Sequence, residues 1–287
     1  MRFSEAVDLF LAEKKMSGYT QSTLKFYENT TGQLIKYSPN GTVAELQSAV
    51  DHLFLNLSQR DISPATLHSY WRGTKTFCRW AHSAQYCEPI RLPKVKKPQL
   101  TIRPMTTEQV KTILGHFSDD SWMSIRNRAI IFLLWDTGLR VSELCSLTED
   151  TVNWDDRWVL VRGKGNKERF VPFGRKSRQH LWEYWKRRAQ FASPRQRHVF
   201  ISKLDKALDR RAIQMVFRRL QEAYHFPGVR LSAHTLRHTF AVHYIEAGGD
   251  PFTLQRILGH ADQQMTSRYL NVSKVHLTGL PDLVRFG

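Results

Sequence analysis

Six polar side chains spread over the C-terminal two-thirds of this 287-residue chain are of types that together suit one kind of chemistry. They are Arg140 in T-G-L-R-V-S-E-L, Lys164 in G-K-G-N-K-E-R, His234 and Arg237 in H-T-L-R, His260 in L-G-H, and Tyr269. A guanidinium holds two phosphate oxygens at once. A lysine can protonate a leaving oxygen, and a phenol can attack phosphorus once a base or a cationic surround draws off its proton. A free tyrosine, with its pKa near 10, is ionised about one part in a thousand at neutral pH, a penalty of roughly 4 kcal/mol. Tyr269 therefore needs such neighbours. The sequence has no carboxylate cluster to hold a metal, so the set is a candidate for binding a phosphodiester and attacking it without metal or cofactor. That is the chemistry of cutting and rejoining DNA strands.

Each of these residues also has a plainer reading on its own. A tyrosine between an arginine and a short tail is usually packed or simply exposed. A lysine in a turn is usually solvated, and a histidine at a helix corner is usually structural. Arg140 can form an ordinary ion pair with Glu143, one turn along. In the functional reading Glu143 braces Arg140 and phosphate is the main partner, because a partly buried guanidinium needs an anion.

The elements that must position these groups follow from periodicity and punctuation. Phe3, Val7, Phe10 and Leu11 recur at helical spacing in a first helix, and Leu24, Tyr27 and Leu34 in a second for which Thr20 is a cap. A third helix is expected over about 42 to 57, and a fourth opens at Ser63-Pro64 and runs through Trp80. From Arg91 to Pro104 the pattern stops: three prolines and five basic residues (Arg91, Lys94, Lys96, Lys97 and Arg103) predict an extended basic linker, either running along phosphates or simply solvated. A helical domain over 1–90, a linker over 91–104 and a second domain over 105–287 are thus expected. In the second domain, Thr106 or Thr107 caps a helix, and A-I-I-F-L-L-W forms a strongly apolar one that stops at Gly138. R-W-V-L-V-R and E-R-F-V-P-F, joined by G-K-G-N-K, predict a β-hairpin with Lys164 at its tip. All that follows reads as helix. His234 and Arg237 share one helix face, Gly248-Gly249 ends that helix, Asp250-Pro251 starts the next, and His260 follows the Gly259 stop.

Composition agrees with a nucleic-acid partner. Lys plus Arg total 43 against 26 Asp plus Glu, a formal charge of +17 spread over the whole chain, and 41% hydrophobic residues can build real cores. Three unpaired cysteines (Cys78, Cys87 and Cys145), an acid-containing amphipathic N-terminus and no long apolar run predict a cytoplasmic, nucleoid-associated protein without a membrane partner.

Taken together, 137–144, 163–169, 234–240 and 258–269 resemble, in order and spacing, the tyrosine recombinase (phage integrase) family, and its Xer-like members most closely. The resemblance implies a mainly α fold with a small β-hairpin or sheet in the catalytic domain, and two domains closing as a C-shaped clamp around double-stranded DNA. It implies short core recombination sites and a homo-tetramer on DNA, with or without a paired recombinase or accessory protein. By resemblance, Tyr269 forms a 3′-phosphotyrosyl link, Arg140 and Arg237 stabilise the phosphate, and Lys164 is the general acid. His234 handles the nucleophile's proton, His260 supports the phosphate, and Glu143 braces from behind. Arg91, Lys94, Lys96, Lys97, Arg103, Lys167 and Arg169 are the expected DNA contacts. With the first helix starting almost at Met1, no separate arm-binding domain is expected, and the apolar tail after Leu270 is expected to dock on a neighbouring subunit or pack in cis. A type IB topoisomerase-like relaxing enzyme and a non-catalytic architectural DNA-binding protein are the alternatives.

Overall fold

Hydroxyl and carboxylate caps decide where many of the helices begin. Thr20, Ser63, Thr106, Ser121, Ser232 and Asp250 all have extended backbone, and each side chain accepts from the amide three residues on, satisfying a donor that the first helical turn leaves unpaired. The structure, a computed structural model, describes residues 1–96, 103–163 and 167–259. Contacts divide the chain into two units, Met1–Leu100 and Thr101–Gly287. Among the described residues no helix is long and apolar enough to cross a membrane.

The first unit is a four-helix bundle of α1 (Phe3–Met16), α2 (Gln21–Tyr37), α3 (Leu46–Ser58) and α4 (Pro64–Ser83). The third helix starts later than its periodicity suggested, because Val43–Glu45 forms a separate 3-10 turn. Phe10 centres the core, with its ring 5.2 Å from Tyr27, 5.5 Å from Phe77 and 5.4 Å from Trp80. Residues 91–96 of the basic stretch form neither helix nor strand, as its prolines favour, and they are fastened to the bundle. Gln47 donates to the Arg91 carbonyl at 3.1 Å and accepts from the Arg91 amide at 2.8 Å, while the Trp71 indole donates to Pro93 at 2.9 Å. Leu92, between these bonds, and Val95, just past them, pack on the bundle core.

The second unit is helical around one small sheet. In order it contains α5 (Thr107–Gly115), α6 (Trp122–Thr137), α7 (Val141–Cys145), β1 (Val152–Asn153), β2 (Trp158–Arg162) and β3 (Glu168–Pro172). Then come α8 (Arg175–Arg188), α9 (Arg210–Ala223), α10 (Ala233–Glu246) and α11 (Pro251–Leu258). The expected hairpin is β2 and β3, antiparallel with Val159 opposite Val171, and β1 adds a third strand on the β2 edge. The main chain closes the hairpin stem where the Gly163 amide donates to Lys167 at 2.8 Å. α6 and α10 are buried on nearly every side, the pattern of central helices, and α6 packs against both α8 and α10. The fold class is therefore mainly α with a small antiparallel sheet.

The expectation of unbroken helix after the hairpin fails between α8 and α9. Val199, Phe200 and Ile201 are β-formers and make a buried non-helical bend, with bridges from Thr148 to His198 and from Ile201 to Ala207. The Tyr184 hydroxyl donates to Val199 and accepts from the Ile201 amide, both at 3.1 Å, which locks this buried segment onto α8.

Candidate active site

α6 stops where Gly138 enters the left-handed region, at φ 61°. A side chain there is excluded by space as well as by conformation, since a Cβ would lie 2.5 Å from Phe240 and 2.8 Å from Leu258. This tight stop places Arg140 at the start of α7, with the ends of α10 and α11 close by.

The C-terminus of α11 is the organising element. The last carbonyls of a helix have no partner within it and carry its partial negative charge. Here three arginines supply the donors. Arg169 Nε bonds Ile257 at 2.6 Å, Arg140 Nη1 and Arg237 Nη2 share the Leu258 carbonyl at 3.2 and 2.8 Å, and Arg140 Nη2 reaches Gly259 at 3.2 Å. Arg237 Nη1 also bonds the Gly138 carbonyl at 2.6 Å, so this side chain, 5% exposed, bridges the ends of α6 and α11. Arg140 is more open, its side chain 38% exposed. Two guanidiniums from separate motifs thus converge on one carbonyl.

Glu143 holds the group from behind. Its carboxylate is 4% exposed and accepts from Arg140 Nη1 at 2.8 Å, the Arg140 amide at 2.9 Å, Arg169 Nη1 at 3.0 Å and Arg169 Nη2 at 2.9 Å. Burial pushes this carboxyl up, but the bonds and charges of Arg169 and Arg140 outweigh it, so Glu143 sits below its usual range and stays ionised. Glu143 is thus paired with Arg140, as their one-turn spacing allows. Arg169, expected to face DNA, is corrected: its side chain is 13% exposed and all three of its nitrogens are engaged inside the unit. Strand alternation explains the direction, for Arg169 falls on the inward face of β3 with Val171, while Glu168, Phe170 and Pro172 face out.

His234 lies in the first turn of α10, its exposed ring at the end of an open groove lined by Gln214, Phe217, Arg218 and Arg230. The protein around its inner edge and the nearby Arg237 charge both lower its pKa from 6.5, so the imidazole is neutral near pH 7 and can accept a proton. Arg91, Lys94, Lys96, Arg103 and Lys167 are solvent-exposed. Lys97, Lys164, His260, Tyr269 and the tail after Leu270 lie outside the described residues. A wider groove between Trp154, Arg157, Arg178 and Trp182 contains none of the candidate side chains. The carbonyls of Ile257, Leu258 and Gly259 went unnoticed in the sequence, because a backbone acceptor has no residue type to betray it.

Residues 103–276 match the phage integrase family. The chain belongs to this family of tyrosine recombinases. Tyrosine recombinase XerA of Pyrococcus furiosus is 30% identical over 275 residues, covering 96% of this chain and 92% of that relative. Tyrosine recombinase XerC of Pseudomonas aeruginosa (strain LESB58) is 36% identical over 224 residues, 78% of this chain and 73% of the relative. The fold is similar to the crystal structure of XerA recombinase, at a TM-score of 0.56 and 23% identity over 99% of each chain. It is also similar to the Tn1549 transposon integrase in complex with a circular intermediate DNA, at a TM-score of 0.76 and 19% identity over 94% and 95% of the two chains. These relatives favour a recombinase over a topoisomerase-like or a purely architectural protein.

Proposed function

We propose that this tyrosine recombinase exchanges DNA strands at specific sites through a covalent protein–DNA intermediate, using Arg140, Lys164, His234, Arg237, His260 and Tyr269. The observation that carries the reading is the meeting of Arg140 and Arg237 at the Leu258 carbonyl. Shared anchoring brings two guanidiniums together at one point, where their combined positive charge can stabilise the non-bridging oxygens of a scissile phosphate. The Tyr269 oxygen attacks phosphorus, the bond from phosphorus to the 5′-oxygen breaks, and a 3′-phosphotyrosyl link with a free 5′-hydroxyl results. Neutral His234 takes the phenol proton, Lys164 gives a proton to the departing 5′-oxygen, and His260 supports the phosphate. The phosphotyrosyl bond keeps the energy of the broken one, so rejoining to a partner strand through a Holliday junction needs no ATP, and charge stabilisation comes from the two arginines rather than a metal.

In this reading the substrate is double-stranded DNA with short core sites. Arg91, Lys94, Lys96, Lys97, Arg103 and Lys167 track its phosphates. Strand exchange takes place in a homo-tetramer in the cytoplasm, on the nucleoid, with the segment after Leu270 linking neighbours. The test is covalent trapping on nicked DNA carrying candidate sites. Wild type should give a band on a denaturing gel, and Tyr269→Phe should give none while still binding DNA. An unchanged band with Tyr269→Phe would place the nucleophile elsewhere. Relaxation of a plasmid lacking any site would favour the topoisomerase-like alternative instead.

A further inference from the structure

Arg169 belongs to no part of the reaction described so far, yet it is among the most heavily bonded side chains at the site. It meets Glu143 as a two-pronged fork while its Nε bonds Ile257. Each of its three nitrogens thus has a protein partner, and its side chain is 13% exposed. Gly259 makes room for it, since a Cβ at Gly259 would stand 2.9 Å from Arg169 Nη1. Glu143 sits between two guanidiniums, and the charges are unequal: two positive and one negative.

We infer that Arg169 is a positioning residue whose charge neutralises Glu143, leaving the charge of Arg140 available to the scissile phosphate. The inference rests on the phosphoryl-transfer reading above. With one guanidinium partner, a buried carboxylate would form a neutral pair with Arg140 and cancel most of its field at the substrate. The second guanidinium satisfies the carboxylate, so Arg140 keeps a net positive field on its open side. The fork also fixes the carboxylate plane that orients Arg140. Because Arg169 lies just past the 163–167 turn, the same bonds tie the strand following Lys164 to the arginine that binds the phosphate.

A role in packing alone predicts that losses add up when both partners are changed. A role through charge predicts that Arg169 matters only while Glu143 is ionised. The experiment is single-turnover cleavage of a nicked DNA substrate by wild type, Arg169→Gln, Glu143→Gln and the double variant, with DNA affinity measured in parallel. Arg169→Gln should cleave about 100-fold more slowly, with affinity and its salt dependence unchanged because no phosphate contact is lost. The double variant should regain at least about tenfold over Arg169→Gln and match Glu143→Gln, the coupling expected of an interacting pair. On a substrate whose scissile phosphate is replaced by a neutral methylphosphonate, the deficit of Arg169→Gln should shrink to less than about tenfold, as stabilising a phosphate anion no longer enters.

If Arg169→Gln does not fold, the comparison of Glu143→Gln with the double variant still decides the matter. Equal rates support neutralisation, and a double variant that is much slower overturns it. A covalent product from wild type together with a full-speed Arg169→Gln overturns the role of Arg169 alone. Absence of any covalent product from wild type sinks the recombination reading and this role with it.

Discussion

Two arginine clusters in the second unit solve the problem of buried charge differently. At Arg188 and Arg197 the account closes: two guanidiniums face Glu149 and Asp150, with Arg188 Nη1 3.4 Å from Glu149 and Arg197 bonded to Asp150. Arg188 also donates to the carbonyls of Gln196 and His198, so it clamps the non-helical segment between α8 and α9. At Glu143, by contrast, one carboxylate serves both Arg140 and Arg169. Burying an arginine without a carboxylate is not by itself a sign of function: Arg126, 9% exposed, makes do with Asn127 and the Ile201 carbonyl. What separates the Glu143 cluster is leftover positive charge on a side chain that solvent can still reach. The Arg188 cluster closes upon itself, whereas the Glu143 cluster is left with one positive charge over.

Substitutions can break or sharpen this contrast. The largest effect is expected from Arg140→Gln, with cleavage about 1000-fold slower and the folded state retained, roughly 4 kcal/mol of lost transition-state stabilisation. Single-turnover rates set against a thermal melt check both halves. Arg188→Met should do the reverse. It should cost about 3 kcal/mol of stability in denaturant unfolding by freeing the carbonyls it clamps, while the cleavage rate per folded molecule changes less than about twofold.

Gly138→Ala should cost about 2 kcal/mol of stability, since the left-handed turn and the Phe240 ring both resist a Cβ, and should slow cleavage through displacement of Arg237. A stable Gly138→Ala enzyme of full activity would show that the α6 stop does not set the position of the arginine. The pH profile is expected to fall on one side for a stated reason. His234 holds its neutral form below pH 6.5, so the rate should stay level from pH 8 to 7 and fall, by about tenfold per unit, only as the pH drops through that lowered value. His234→Gln should lose this acidic limb. The smallest effect belongs to Arg197→Gln, whose exposed, solvent-screened ion pairs should leave both the denaturant midpoint and the single-turnover cleavage rate unchanged.

Local signals made much of this legible from sequence. Caps at Thr20, Ser63 and Asp250, the stop at Gly138 and the hairpin around G-K-G-N-K all depend on residues within a few positions of one another. The pairing of Arg140 with Glu143 is a one-turn relation and was visible for the same reason. Arg169 was misread because its charge was weighed and its strand parity was not: the alternation E-R-F-V-P puts it on the face of Val171. Its partners, Glu143 and Ile257, lie far off in sequence. The stretch from 190 to 209 was misjudged as helix because its order comes from tertiary partners, chiefly Tyr184 and Arg188.

The anchoring of the arginines on α11 bears on how such a site tolerates genetic drift. A side-chain acceptor can be deleted by a single nucleotide change, but the carbonyls of Ile257 and Leu258 survive every substitution at those positions. The identity of these residues can therefore wander as far as packing allows without removing the ligands that aim Arg140 and Arg237. The burden of constancy shifts to Gly259, whose missing side chain admits Arg169 and whose turn ends the helix. An enzyme arranged this way entrusts its most demanding alignment to the part of the polymer that mutation cannot rewrite.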